Sequence, residues 1–249
     1  MENKNLYTAI AALFAVALIL SANVLSNGIK YKYVADEIIS TTGLSEKEFT
    51  SDLALWSANF SRKSLSKQEG FAMLKKDAQT IKQYLISKGF AESEIALTSI
   101  STSEDNTYYT EVSNGISREK QQFNGYILSQ SIEIESKKID LVESSAREIT
   151  ELINESIEIN SNQPSYYYSK LEDLKLALIS EATENATTRA KNIAEKSGSS
   201  LGNLKNAITG VFQITGKNSS EEYSWGGVYN TSDRQKKASI TVKLKFGID

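Results

Sequence analysis

An α+β fold is the class this sequence predicts, and three observations predict it. Two long apolar stripes at helical spacing, one from Phe71 and one from Leu171, are each led by a serine capping signature and stopped by a glycine. Each is followed by segments in which apolar and polar residues alternate, the period of a half-buried strand. The order strand, capped helix, glycine stop, strand, long polar loop, strand occurs twice. The predicted architecture is a duplicated β-α-β-β unit, with helices packed on antiparallel sheet and one extra helix joining the halves. An N-terminal transmembrane helix precedes it.

That first helix rests on residues 6–25, LYTAIAALFAVALILSANVL, which carry no charge. At about 1.5 Å per residue they span the roughly 30 Å hydrocarbon core of a bilayer. A cleaved signal sequence is the competing reading, but it has a shorter apolar region and an Ala-x-Ala-like exit. The exit here reads LSANVLSNG, with no clean small-x-small pair, which favours an uncleaved anchor. Lys4 on one side and Lys30 and Lys32 on the other leave orientation unset by charge. Residues 1–27 are thus the anchor (or signal sequence), 28–36 a linker and 37–249 the folded domain.

In the domain, the TTG ending at Gly43 reads as a turn from a short strand into the run Leu53 to Phe60, whose apolar and aromatic density is strand chemistry. Ser66 to Glu69 forms a capping box; Phe71, Leu74, Ala78, Ile81 and Leu85 make one helical face, ending at Gly89. A strand over about 94–102 leads to a polar, tyrosine-bearing loop, Glu104 to Gln122. Strand FNGYILSQSIEIE follows, and Leu141 to Ile153 gives a shorter helix. A tyrosine-rich strand over about 157–168 precedes a second capping box, Ser169 to Glu172. Leu171, Leu174, Leu178, Ala182, Ala186, Ala190 and Ile193 then make a long stripe that stops at Gly198. Strand NAITGVFQIT, a polar aromatic loop from Gly216 to Lys237, and the alternating strand ASITVKLKFG complete the chain.

Composition excludes more chemistry than it suggests. The 249 residues include no histidine and no cysteine. That removes the commonest general base, thiolate nucleophiles, disulfides and cysteine-based metal sites. A net charge of −3 with scattered basic residues gives no reason to expect nucleic acid. A non-enzymatic scaffold or binding protein without cofactor or metal is the expectation.

Asp52 heads the long strand without a paired carboxylate, so it reads as structural and not as an acid–base group. Glu133 and Glu135 share a strand face about 6–7 Å apart, a spacing open to a hard cation, but the solvated serines Ser129 and Ser131 beside them fit a plain outer face equally. Ala182, Ala186 and Ala190 let the second helix approach closely either its own sheet or another subunit. Tyr108, Tyr109, Tyr223, Trp225 and Tyr229 lie in two loops of about twenty residues each, a length usually functional or disordered. Rigid amphipathic rings among Ser, Asn and Gly suit a contact surface. These eight residues are the candidate oligomer or partner contacts; no catalytic or metal residue is assigned.

Three stretches carry a family resemblance. ISTTGLSEKEFTSDLALW, FNGYILSQSIEIE and, most distinctively, ALISEATENATTRAKNIAEKSGSSLGNLKNAI resemble the SIMPL-domain family, over about residues 38–248. Bacterial members of that family include periplasmic immunogenic and oxidative-stress-defence proteins. The resemblance implies an exported, envelope-facing domain of two β-α-β-β units that assembles with itself, ring-like in at least some members. It implies no defined catalytic residues. The chain departs from the family in keeping its anchor and in having a single proline, Pro164. Together these give a membrane-anchored homo-oligomeric scaffold on the outer side of a bacterial inner membrane, with the membrane held through residues 6–25 and an envelope protein as a further partner. The alternative is a periplasmic binding module for a small or peptide ligand through the aromatic loops.

Overall fold

The computed structural model describes residues 13–26, 28, 37–113 and 116–248. Residues 13–26 are helical (α1), while the rest of the proposed span over 6–25 lies outside the described residues. Among the described residues no helix is long and apolar enough to cross a membrane. In chain order the further elements are β1 (Ile38–Thr50), β2 (Leu53–Ser64), α2 (Lys67–Lys88), β3 (Ile95–Leu97), β4 (Ser101–Ser113), β5 (Ile116–Ser136) and α3 (Ile139–Glu148). They continue with β6 (Glu158–Ser161), β7 (Ser165–Tyr167), α4 (Leu171–Lys196), β8 (Leu201–Thr209), β9 (Gln213–Gly216), β10 (Val228–Tyr229) and β11 (Gln235–Ile248). The class is α+β, with its strands in two sheets. The chain divides into two compact units, one built from residues up to Lys47, Asp173–Phe212 and Ser239 onward, the other from Glu48–Glu172 and Gln213–Ala238.

The second of these units is organised by β2 and β5, paired antiparallel from Ala54↔Ser136 to Ser64↔Tyr126. β3 and β4 add to β5, and β6 and β7 to β2. Along β2, Ala54, Trp56, Ala58 and Phe60 alternate to the buried face, where they meet Leu128, Ile132 and Ile134 of β5. Leu74, Ala78, Ile81 and Leu85 of α2 and Val142 of α3 complete this core. The Arg62 guanidinium fastens α2 to β2 by donating to both oxygens of Asp77, at 2.5 and 2.8 Å, the planar fork-to-fork geometry that makes such pairs strong.

Several local expectations resolve differently. The Ser66 side chain caps α2 by accepting from the Glu69 N–H, but the Glu69 carboxylate accepts from Ser64 Oγ instead of closing the box. The helix expected over 141–153 is α3 followed by a 3-10 turn, Ile149–Glu155. The tyrosine-rich strand over 157–168 is two short strands broken around Pro164, which has no N–H to give a ladder. The described residues of the polar segment Glu104 to Gln122 are strand and not loop: β4 as far as Ser113 pairs with β5 from Ile116 onward.

In the other unit β11 lies between β1 and β8, and α4 covers one face. α4 buries Leu174, Leu178, Ala182, Ala186, Ala190 and Ala194, every fourth residue without exception. An i, i+4 ridge is inclined to the helix axis, so the buried line crosses the helix obliquely. Ile193, expected in the stripe, is exposed, and Ala194 takes its place. β1 presents Ile39, Thr41, Gly43 and Ser45 to this ridge. Gly43 is therefore mid-strand and not a turn. A Cβ there would press on the Ala182 carbonyl oxygen and lie 2.6 Å from the Ala186 nitrogen. Thr41 Oγ1 donates to the Ala186 carbonyl at 2.9 Å, and Ser45 Oγ to Glu181 at 2.7 Å. The alanine seam is thus buried against its own strand, which leaves Ala182, Ala186 and Ala190 no surface to offer another subunit.

The duplication holds in sheet order but not in chain order. β8-β11-β1 beneath α4 matches β4-β5-β2 beneath α2. The strand in the place of β2 is β1, from the start of the domain, whereas the segment before α4 pairs with β2. NAITGVFQIT breaks at Gly210, whose N–H donates to the Thr241 carbonyl, giving β8 and β9. β9 pairs parallel with β10, so the sheets are not wholly antiparallel.

Because backbone, and not a yielding side chain, occupies the space beside Gly43, the Gly43→Ala variant is expected to lose about 3 kcal/mol, the upper end for overpacking. Urea denaturation followed by circular dichroism measures it; a loss under about 1 kcal/mol would show that α4 can retreat from β1.

Candidate functional site

β5 outruns its partner. Its last eleven residues, Tyr126 to Ser136, pair with β2, but the strand begins at Ile116. The earlier part pairs only with β4, from Asn106↔Phe123 to Ser113↔Ile116, as a two-stranded arm about 25 Å long at ~3.4 Å per residue. The register shifts where the arm leaves the sheet, with Asp105 opposite Gly125 and Asn106 opposite Phe123. Gly125 has φ 128° there, and a Cβ on it would lie 2.8 Å from the Ser64 carbonyl oxygen. Lys63 pairs with Asp105 across the root.

Register assigns the arm's two faces. Tyr108, Val112, Glu119, Gln121 and Phe123 share one; Tyr109, Glu111, Arg118 and Lys120 share the other. The second is ionic and internally matched, with Lys120 Nζ 2.5 Å from a Glu111 oxygen. The first is mixed and uncovered: Tyr108, Val112 and Phe123 stand among Thr110, Ser117, Glu119 and Gln121, and Tyr108 is 62% and Val112 68% exposed.

The second aromatic segment, Gly216 to Lys237, is a loop pinned from within. Glu221 accepts from the Gly216 N–H, the Ser219 hydroxyl and the Asn230 amide. The last of these is the main cause holding its carboxyl below the usual range. The Asn230 amide also donates to Asp233, and Gln213 exchanges two hydrogen bonds with the Ser224 backbone. Tyr229 packs at a tilt against Tyr167, ring centroids 6.2 Å apart, whereas Trp225 at the tip is 99% exposed. Glu221 and Asn230 are therefore structural parts of the loop and not spare contact area.

Beneath the loop lies Lys236, which the alternating pattern gave no reason to single out. It is 1% exposed, and its ammonium donates to the Asn230 carbonyl near the Tyr229 ring. Burial pushes its amine down to about 8, against the upward pull of Asp233 and Glu221. A side chain so enclosed meets no substrate; it fastens the loop.

Asp52 sits between β1 and β2, not within a strand. Burial raises its carboxyl, but the Ser169 hydroxyl and N–H, donating at 2.6 and 2.7 Å, outweigh it and hold the group below its usual range. The Ser169 side chain is thereby committed to Asp52. Glu133 and Glu135 lie on the sheet face away from α2, in a cleft of 420 Å³ lined also by Leu55, Ser57, Gln163 and Tyr167. Among the described residues no three metal-ligating side chains gather.

A sheet with its core on one face, the glycine-rooted arm and the alanine ridge all fall within residues 39–246, which match the family model "SIMPL: Protein of unknown function (DUF541)". The chain belongs to the SIMPL family. A comparison with the curated proteins returns no match. In this SIMPL domain the candidate contacts Tyr108, Tyr109, Tyr223, Trp225 and Tyr229 are all exposed, on the arm and on the pinned loop, and the three alanines are not.

Two titrations follow from these geometries. A carboxyl lowered on folding adds stability above its unfolded pKa and loses it as pH falls through the folded one. Asp52→Asn is therefore expected to cost about 1.5–3 kcal/mol at neutral pH, the range for a hydrogen bond to a charge, with the difference from wild type closing below pH 3.8. An amine lowered on folding acts oppositely: the charged form is disfavoured in the folded state. Stability should rise between about pH 8 and pH 10.5, by up to about 3 kcal/mol. Lys236→Met should flatten that rise in urea melts; an unchanged slope would mean the amine is solvated in solution.

Proposed function

We propose that the chain is a non-enzymatic, self-assembling protein of the cell envelope, anchored through residues 6–25 with its SIMPL domain on the periplasmic side of the inner membrane. The observation that carries this reading is the arm. A two-stranded ribbon with no core beneath either face is marginal alone in water, and its uncovered face holds Tyr108, Val112 and Phe123. Membership of the SIMPL family and the exposed Trp225 add support. So does the lack of histidine and cysteine, because architecture makes no demand on acid–base side chains. The anchor fixes one end of each copy on one side of the membrane, which suits cyclic symmetry, and the loops meet a second envelope protein.

The cleft beside Glu133 and Glu135 favours a second reading, a binding module. Two carboxylates without ion-pair partners among the described residues, with Leu55 and Tyr167 as apolar floor, suit a small cationic or basic peptide ligand.

The two readings separate by mass. The full chain extracted in mild non-ionic detergent is expected to give one discrete homo-oligomer by light scattering after subtraction of detergent. A monomer at tens of micromolar would overturn assembly. Saturable heating-curve stabilisation of that monomer by a lysine-rich peptide, lost in Glu133→Gln, would establish the binding module in its place.

A further inference from the structure

The sheet of the unit that holds α4 is covered on one face only. Its other face carries Ile38 and Leu44 of β1, Lys243 and Lys245 of β11 and Ile208 of β8. The assignment follows from alternation: β1 buries Ile39, Thr41, Gly43 and Ser45, and β11 buries Val242, Leu244 and Phe246. In the β8–β11 register Lys243 stands opposite Ile208. An antiparallel sheet with one wet face normally turns polar residues outward. Here three large aliphatic side chains point out among polar ones such as Ser40, Thr42 and Asn206, Ile208 being 54% exposed. Neither lysine has an ion-pair partner among the described residues.

The arm's uncovered face is its complement. It is a strip about 25 Å long at ~3.4 Å per residue, apolar through Tyr108, Val112 and Phe123, with one carboxylate, Glu119, that no described cation pairs. The basic-aliphatic face is of similar length: the nine residues of β8 extend about 30 Å. Apolar surface on both sides and opposite unpaired charges are the two ingredients of a specific protein contact. Each copy carries one strip and one face, so the pair is different on the two sides of the contact.

We infer that the arm of one copy lies on the open face of the β1-β11-β8 sheet of a second copy, with Glu119 against Lys243 and Lys245. This rests on the self-assembly reading above and names its contact. Because strip and face are distinct surfaces, the interface is heterologous: each copy gives its arm to one neighbour and its face to another. Such contacts close into rings or run on as filaments and do not stop at dimers.

The absence of cysteine makes the test clean, since any disulfide must be an introduced one. The full-length chain in detergent would carry Val112→Cys with Ile208→Cys, Tyr108→Cys with Ile208→Cys, or Val112→Cys with Leu44→Cys. Mild oxidation and a non-reducing gel should give a ladder of dimer, trimer and larger species for at least one pair, and none for any single variant. Dimers from Val112→Cys alone would mean that arms pair with arms, and only monomer-mass bands would mean no arm-to-face contact; either overturns the inference. A face that lies on lipid would leave the pairs unlinked and shield the single Ile208→Cys thiol from a water-soluble maleimide only when bilayer is present, which also overturns it. Charge exchange supplies a check independent of thiols. Glu119→Lys, and Lys243→Glu with Lys245→Glu, should each weaken assembly at least tenfold in dissociation constant. All three together should restore most of it, while thermal unfolding confirms that every variant is folded. A wild-type oligomer that survives all these changes leaves self-assembly standing and removes the arm from it; a monomeric wild type removes both.

Discussion

The register between β2 and β5 governs the unit built around it. Eleven successive pairs align Ala54 with Ser136 and Ser64 with Tyr126, and every other strand of that sheet attaches to one of these two. A slip of one residue would turn Trp56, Ala58 and Phe60 to water and Ser57 and Asn59 to α2, so the register is strongly specified. It also dictates where β2 stops. β5 runs ten residues beyond that point, from Ile116 to Gly125, and β4 is the strand that satisfies it. Gly125 lies at the join because any Cβ there would meet the Ser64 carbonyl at the end of β2. The arm is thus a direct consequence of unequal strand lengths.

The two units solve helix-on-sheet packing differently. Beneath α2, large side chains such as Trp56, Phe60, Ile132 and Leu85 fill the layer, and burial of apolar area at about 25 cal/mol/Å² is the main term. Beneath α4, alanines meet Thr41, Gly43 and Ser45, which bury little area but bring backbones close. There, dispersion at short range and hydrogen bonds such as Thr41 to the Ala186 carbonyl contribute more of the contact. Close packing of this kind tolerates no added atom, so small residues are required on both sides. That explains why the alanine pattern is so regular and why no part of it is spare.

What the sequence made legible follows one physical rule: periodicity reports burial on one side. α2, α4 and the buried half of β5 each have one wet and one dry face, and each stands out in the pattern of residues. The arm has two wet faces. Its residues, SEDNTYYTEVS and ISREKQQF, therefore show no alternation and read as loop. β8 is hard to bound in the sequence for the same reason, being exposed along nearly its whole length. Contacts distant in sequence were equally hidden. The alanine ridge was evident, but that its partner is β1, some 140 residues away, is not a local property. Asp52 is bound by Ser169, a residue whose place in the sequence reads as a helix cap. Lys236 carries no such signal, because a lysine in an alternating run looks like any solvated one.

The arm and the pinned loop differ in what keeps them ordered, and that difference bears on function. The loop is held by side chains that serve no other purpose, among them Glu221, Asn230 and Gln213, so its exposed Trp225 is presented from a base already formed. Beyond its own ladder the arm has, among the described residues, the ion pair of Glu111 with Lys120, a hydrogen bond from the Asn124 amide to the Thr107 hydroxyl, and an edge contact of Phe123 on Tyr126 at its root. Ordering each residue costs about 1–2 kcal/mol of backbone entropy, and a net hydrogen bond returns about 1. A ladder makes about one hydrogen bond for every two residues ordered, so without burial the entropy cost exceeds that return. A surface laid against Tyr108, Val112 and Phe123 would add the missing apolar term, so the arm's order and its occupation are thermodynamically linked. A preformed tip is suited to a partner met in passing. A ribbon whose stability rises when it is covered is suited to joining subunits of a lasting assembly.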